Sequence, residues 1–235
     1  MTSARRPAPR AIVAVLLFFA TGFVALGIWQ IERRAWKHAL VHAVESRAHA
    51  APVAPPGPAA WPSVDAASDA YRRVRITGRF LTGHYILVRA VSDLGAGYWV
   101  MTPFDGGGFR LLVNRGFVPQ ERRDHVPAPP PGPVTVTGLL RISEPGGAFL
   151  RSNDPAAGRW YSRDVTAIAG AQRLGPVAPY FIDADRSLDQ WNGPIGGLTV
   201  IRFPDNHAVY AATWFGMAIL FLWAIVRLLR GSRPA

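Results

Sequence analysis

His207 is the residue in this chain best placed to do chemistry. It directly precedes an uncharged run from Ala208 to Val226, and on a helix it shares one face with Tyr210, Ala211, Trp214, Ala218 and Phe221. A neutral imidazole nitrogen is a common axial ligand for haem iron, and the aromatic side chains beneath it would form a flat apolar wall. A snorkelling histidine among ordinary interfacial aromatics has the same residue types. Residue types alone leave both readings open. A second constellation is His38, His42, Glu45 and His49, spaced i, i+4, i+7 and i+11 along one helical face. Two histidines and a carboxylate could hold a metal, although an exposed stripe on a solvated helix shows the same pattern. A third is Asn114-Arg115-Gly116-Phe117-Val118-Pro119, where the apolar run Leu111–Val113 delivers an Asn-Arg-Gly turn. There Asn and Gly suit a corner with positive φ, and Arg is expected to pair with a carboxylate or carbonyls; contact with an acidic ligand is the less favoured reading.

Other chemistries drop out. The chain has no G-x-S-x-G, no H-E-x-x-H and no phosphate-binding loop, and Gly106–Gly108 lacks the strand, helix and lysine such a loop needs. No hydrolase constellation stands out. There is no cysteine, which removes disulfides, Cys-ligated zinc and iron–sulfur clusters. The formal net charge is +11, but the 26 basic residues are scattered and Lys37 is the single lysine. With no basic run and no recognition motif, nucleic acid is not an expected partner.

The elements that must position these residues begin with two apolar segments. Ala11–Ile31 and Ala208–Val226 carry no charged residue, and a bilayer core of roughly 30 Å needs about 20 apolar residues in a helix. The first run is longer than the apolar core of a signal peptide and has no obvious small-x-small cleavage site, so it is read as a retained anchor. Arg227, Arg230 and Arg233 follow the second span and only Arg202 lies close before it, which predicts cytoplasmic termini and an external domain in a bacterial inner membrane. Trp29, Arg33, Trp36 and Leu40 keep helical spacing beyond the first span.

The expected layout is a cytoplasmic tail 1–10, a transmembrane helix 11–31, a helical stalk 32–49, a Pro/Ala-rich linker 50–70, a periplasmic β-rich domain 71–206, a second transmembrane helix 207–226 and a tail 227–235. Within the domain, Val74, Ile76 and Phe80 alternate with polar residues, the period of a half-buried strand. Further strands are expected at 84–88, 98–104, 109–118, 134–142, 179–182 and 198–203, with Asp105–Gly108 as a hairpin turn. One helix is predicted with Ser162 as its N-cap, Asp164 in its first turn and Gly175-Pro176 at its end. The fold class is therefore a membrane hairpin of two transmembrane helices flanking a β-rich (α+β, barrel- or sandwich-like) extramembrane domain. The small-residue face Ala208, Ala212, Gly216 is expected to pack on a neighbouring helix.

An ordered set of motifs carries a family resemblance over nearly the whole length. It runs from Leu26-Gly27-Ile28-Trp29-Gln30 with Arg33 and Trp36-Lys37, through Gly78-Arg79-Phe80, His84 and Gly97-Tyr98-Trp99-Val100-Met101-Thr102-Pro103-Phe104, to Val113–Pro119. Trp160-Tyr161 with Asp164, then Pro179-Tyr180-Phe181, and finally Asn206-His207-Ala208-Val209-Tyr210-Ala211-Ala212-Thr213-Trp214-Phe215 complete it. The chain resembles the surfeit-locus-one family of cytochrome c oxidase assembly factors. One departure is Phe117, where the family often has Trp; an aromatic is kept.

The resemblance implies a non-enzymatic role in building haem-copper oxidases. In bacterial members it implies that haem a is held for handover to the oxidase catalytic subunit, with the haem a synthesis machinery as a further partner. By motif, His207 would ligate the haem iron and Trp214 would support the porphyrin, with Tyr210 on the same face. The isoprenoid tail of haem a would stay in the lipid bilayer, and Arg202 or Arg33 could meet its propionates. The rival expectation is a haem-free chaperone that grips an oxidase subunit through the small-residue helix face.

Overall fold

A computed structural model describes residues 10–148, 150–186, 193–199 and 205–231. It divides into two compact units, one formed by the sequence up to Ala43 with residues from Arg202 onward, the other by Val44–Ile201. The expected strand at 198–203 and Arg202 itself lie largely outside the described residues; Leu198 and Thr199, which are described, are not in a strand.

Strands β1 (Arg73–Phe80), β2 (Ile86–Ser92), β3 (Gly95–Asp105), β4 (Arg110–Pro119), β5 (Val134–Ile142) and β6 (Val177–Ala184) form one sheet in the order β1-β5-β6-β4-β3-β2. Arg79 and Phe80 of β1 also pair with Asp105 and Phe104 of β3. That pairing closes β1, β5, β6, β4 and β3 into a five-stranded barrel, with β2 paired to β3 outside the ring. All pairings are antiparallel except β4 with β6. Closure leaves those five strands without an open edge, so of the barrel and the sandwich left open by the sequence, the barrel is what forms.

Alternation sorts the side chains. Val74, Phe104, Leu111, Val113, Leu140, Tyr180 and Ile182 are fully buried in one cluster. Leu112 and Phe181, one residue out of phase, turn to the opposite face and pack with Met101, Trp160, Val165 and Ile168. This second cluster is covered by the helix α2 (Val165–Ala171). Strands β4 and β6 are thus buried on both faces, and their segments Leu111–Val113 and Tyr180–Ile182 are uninterrupted by polar residues for that reason.

Two local expectations need correction. Asp164, not Ser162, is the N-cap of α2: its carboxylate accepts the Ala167 N–H at 3.0 Å. The Ser162 hydroxyl is buried and accepts hydrogen bonds from Gly147 N–H and the Asn153 amide instead. The Asn114-Arg115-Gly116 motif is not a turn but a bulge inside β4. Trp99 pairs with Phe117 and Met101 with Asn114, so Val100 alone faces Arg115 and Gly116. Gly116 has φ 130°, and a Cβ there would lie 2.4 Å from the Ile195 carbonyl.

The partners expected of that motif are present. Arg115 donates to the Pro127 carbonyl at 2.6 Å, and burial lowers its pKa to about 10, leaving it charged at neutral pH. The Asn114 amide donates to Asp183 at 2.8 Å. Asp183 also accepts from Arg141, Arg163 and Thr199. Burial opposes the Arg163 cation, but Asp183 and Glu144 outweigh it and raise the pKa. The Pro/Ala-rich stretch is docked on the barrel: Val53 bonds Arg73 and Arg75 through the backbone, and Pro56 accepts from the Tyr180 hydroxyl and the Trp61 indole.

Candidate functional site at the mouth of the helix pair

The other unit is built from two helices. The helix α1 runs without interruption from Arg10 to His49, so the apolar span and the stalk are one element. The helix α3 spans His207–Gly231. Both are long and apolar enough to cross a membrane. In α1, Ala20, Gly27 and Gln30 are buried; in α3, Ala211, Ala218 and Ile225 recur every seventh residue. Such spacing is that of a helix–helix seam. Phe23 stacks on Trp214 with centroids 5.7 Å apart and meets Phe221 edge-on at 5.2 Å. Gly27 leaves room for the Phe215 ring, which a Cβ would meet at 2.6 Å.

The packing face is therefore the one that carries Ala211, Trp214, Ala218 and Phe221. The small face expected to pack instead stays open: Ala208, Ala212 and Gly216 are exposed, and a Cβ on Gly216 would meet nothing within 4 Å. Aromatic rings can fill the seam where Gly27 and the alanines make space, and that burial outweighs close backbone approach.

His207 opens α3. Its backbone N–H is accepted by Asp205 at 3.1 Å, which satisfies one orphan donor of the first turn. The other Asp205 oxygen takes Arg34 Nε at 2.9 Å and His38 Nε2 at 2.7 Å, one turn apart on α1. Hydrogen bonds from His38 and then Arg34 hold the Asp205 carboxyl well below the usual carboxylate range. His207 Nδ1 lies 2.7 Å from Gln30 Oε1. A carbonyl oxygen accepts, so Nδ1 carries a proton, and in the neutral imidazole the lone pair is then on Nε2. Among the described residues Nε2 has no hydrogen-bond partner.

A groove of about 550 Å³ adjoins this cluster, lined by Ile31, Arg34, Ala35 and His38 from α1 and by His207, Ala208, Ala211, Ala212 and Phe215 from α3. Its volume is that of a small-molecule or cofactor site. The chemistry is graded: two cationic-capable side chains and an imidazole at one end, aliphatic carbons and a phenyl ring at the other. An iron porphyrin with anionic propionates fits such a donor set.

The site residues expected from the sequence are not all brought together. His207 lines the groove. Tyr210 is half-exposed on α3 and Trp214 lies in the seam against Phe23, neither lining the groove. The buried Trp214 Nε1 has no hydrogen-bond partner among the described residues. Arg33 stacks on Trp36 at 4.1 Å, and Arg34 is the arginine of the groove. Of the histidine stripe, His38 is engaged by Asp205 and His49 Nδ1 by the Glu45 carbonyl. Among the described residues no group of three or more His, Cys, Asp or Glu is arranged to hold a metal. Gln30 was not singled out, although one amide side chain in an otherwise uncharged, apolar run was its signal.

The SURF1 family model matches residues 17–219, which include the whole barrel, most of α1 and the first half of α3. Surfeit locus protein 1 of Rattus norvegicus is 35% identical over 231 residues, covering 88% of this chain and 73% of that one. The Xenopus tropicalis protein of the same name is 32% identical over 232 residues, 89% and 73% of the two chains. The Homo sapiens one is 32% identical over 242 residues, 93% and 78%. Motif order, helix–barrel–helix architecture and these similarities agree, and the chain belongs to the SURF1 family.

Proposed function

We propose that this protein is a non-enzymatic assembly factor for a haem-copper cytochrome c oxidase, and that it holds haem a as cargo in the groove beside His207 for delivery to the catalytic subunit. The observation that carries this reading is the Gln30–His207 hydrogen bond at 2.7 Å. It fixes the imidazole in the tautomer whose Nε2 can donate to iron, at the rim of a groove of cofactor size. Arg34, which bonds Asp205 through Nε, would turn its terminal nitrogens to the propionates, and the aliphatic wall would take the macrocycle edge and the isoprenoid tail. Iron ligation is the one piece of chemistry the haem brings. The chain's own part is to orient the imidazole, neutralise the carboxylates and exclude water.

Protein purified in detergent from cells that make haem a should carry a haem absorption band and yield haem a on extraction. His207→Ala should insert in the membrane at wild-type amounts and lose the band. Pigment-free wild-type protein, or a wild-type band in His207→Ala, overturns the haem reading.

One observation favours the haem-free chaperone reading as a second possibility: the exposed Ala208/Ala212/Gly216 face is open to a helix of another protein. Both readings share the same placement, with termini in the cytoplasm, the barrel outside the bacterial inner membrane, and the haem a synthesis machinery nearby. Arg227, Arg230 and Arg233 support that orientation. A periplasm-active reporter fused at Pro130 should be active and one after Ala235 silent; the reverse pattern would put His207 at the cytoplasmic face.

A further inference from the structure

We propose that the barrel domain carries a second binding site, separate from the helix-pair groove, which takes the phosphate headgroup of an anionic phospholipid. The site is a pocket of about 450 Å³ lined by Arg89, Val91, Gly97, Tyr98, Arg151 and Tyr161 among others. Arg89 lies on β2, the strand outside the closed ring. Arg151 closes a tight turn with Ala148, the two exchanging backbone hydrogen bonds at 2.8 and 2.9 Å.

Both guanidiniums converge on one ring: Arg89 is 5.7 Å and Arg151 5.6 Å from the centroid of Tyr161. Among the described residues neither has a carboxylate partner, whereas Arg159 nearby pairs with Asp154 and Arg123 with Asp124. Both line the pocket beside that ring, so an anion bound there would balance two charges that no carboxylate of the described residues balances. Planar forks of this kind suit phosphate oxygens.

The rim supplies the second half of the argument. Val91 is 85% exposed, Leu150 88% and Leu94 50%. Leu150 also has φ 57°, a left-handed conformation at a turn position where Gly or Asn would sit without strain. Exposure and a left-handed backbone coincide at this leucine. Aliphatic side chains on protruding turns beside paired arginines are the chemistry of an interfacial contact, carbon among acyl chains and guanidinium on phosphate. The chain contains two helices long and apolar enough to cross a bilayer. Lipid phosphate is therefore present at high effective concentration around the tethered barrel, which favours it over an acidic protein segment from solution.

The test uses the full chain, whose lack of cysteine makes one introduced thiol unique. Val91→Cys carrying a polarity-sensitive fluorophore is reconstituted into nanodiscs of zwitterionic lipid, with or without phosphatidylglycerol. The expected result is a blue shift and brighter emission in the anionic discs only. Adding Arg89→Gln and Arg151→Gln should abolish the shift, since each basic residue at an anionic surface contributes about 1 kcal/mol, a roughly thirtyfold change in docked population for two. Both arginines are off the barrel interior, so an unchanged thermal melt checks the fold of the variant, and Arg89→Lys/Arg151→Lys should restore part of the shift. Equal emission in both lipids, a shift that survives the double substitution, or one that needs an added partner protein would each overturn the proposal. None of these readouts depends on haem at His207.

Discussion

His207 Nδ1 and Gln30 Oε1 are 2.7 Å apart across 177 residues of sequence. Gln30 is a buried amide near the end of the apolar run of α1, and it meets the imidazole at the start of α3. Removing it tests whether the imidazole is positioned or simply present. Gln30→Leu should leave insertion and abundance near wild type while lowering haem affinity about 10–100-fold, the usual cost of losing the partner that orients a histidine ligand. Gln30→Asn, too short to reach, should behave like Leu; Gln30→Glu should retain pigment with a shifted absorption maximum. Titration of haem into detergent-solubilised protein reads all three.

Trp214 should behave as a packing residue of the helix pair. Its ring stacks on Phe23 in the seam, so Trp214→Ala should cost about 3 kcal/mol through the cavity it leaves. His207→Ala, which loses one interhelical hydrogen bond, should cost about 1 kcal/mol. Thermal unfolding in detergent should rank the two in that order, while pigment loss ranks them in reverse. Trp214→Phe should restore most of the stability.

Asp205 gives the helix-pair mouth a defined acid response. Hydrogen bonds from His38 and Arg34 hold its pKa low in the folded protein. A carboxyl whose folded pKa is depressed contributes stability above its unfolded value, and that contribution is lost as pH falls through the lower folded value. The Asp205 carboxylate should therefore stay ionised below about pH 4, the unperturbed aspartate value. Its carbon-13 carboxyl shift should follow this, and His38→Ala or Arg34→Gln should each move the midpoint upward.

Gly116→Val should misfold the barrel. The positive φ alone costs on the order of 1–3 kcal/mol for a β-branched residue, and the added carbon would collide with the backbone at Ile195. Steady-state abundance should fall sharply, and the residual protein should be protease-sensitive. Normal abundance would show that the bulge can relax.

Periodicity and composition determined the parts of this protein that depend on near neighbours. Uncharged runs of sufficient length marked the two helices, period-two alternation located β1, and the candidate strand at 134–142 has the observed bounds of β5. The short apolar stretches Leu111–Val113 in β4 and Tyr180–Ile182 in β6 were readable as strand because both of their faces are buried. His207 stood out in the sequence as a lone imidazole at the mouth of an apolar run.

Tertiary structure decided whatever needed a partner distant in sequence. Closure rests on Arg79 and Phe80 meeting Asp105 and Phe104, and no local pattern says whether such a sheet closes or stacks. Asn-Arg-Gly reads as a corner in isolation; only pairing with β3 makes it a bulge, because the extra residue is defined by the strand opposite. Ser162 yielded the helix cap to Asp164 because Gly147 and Asn153 claim its hydroxyl. The direction in which α3 packs was equally hidden. Its small and aromatic faces are both fit for a neighbour, and Gly27 with Phe23 on α1 selected the aromatic one, which buried Trp214 and left Gln30 rather than a ring to hold His207.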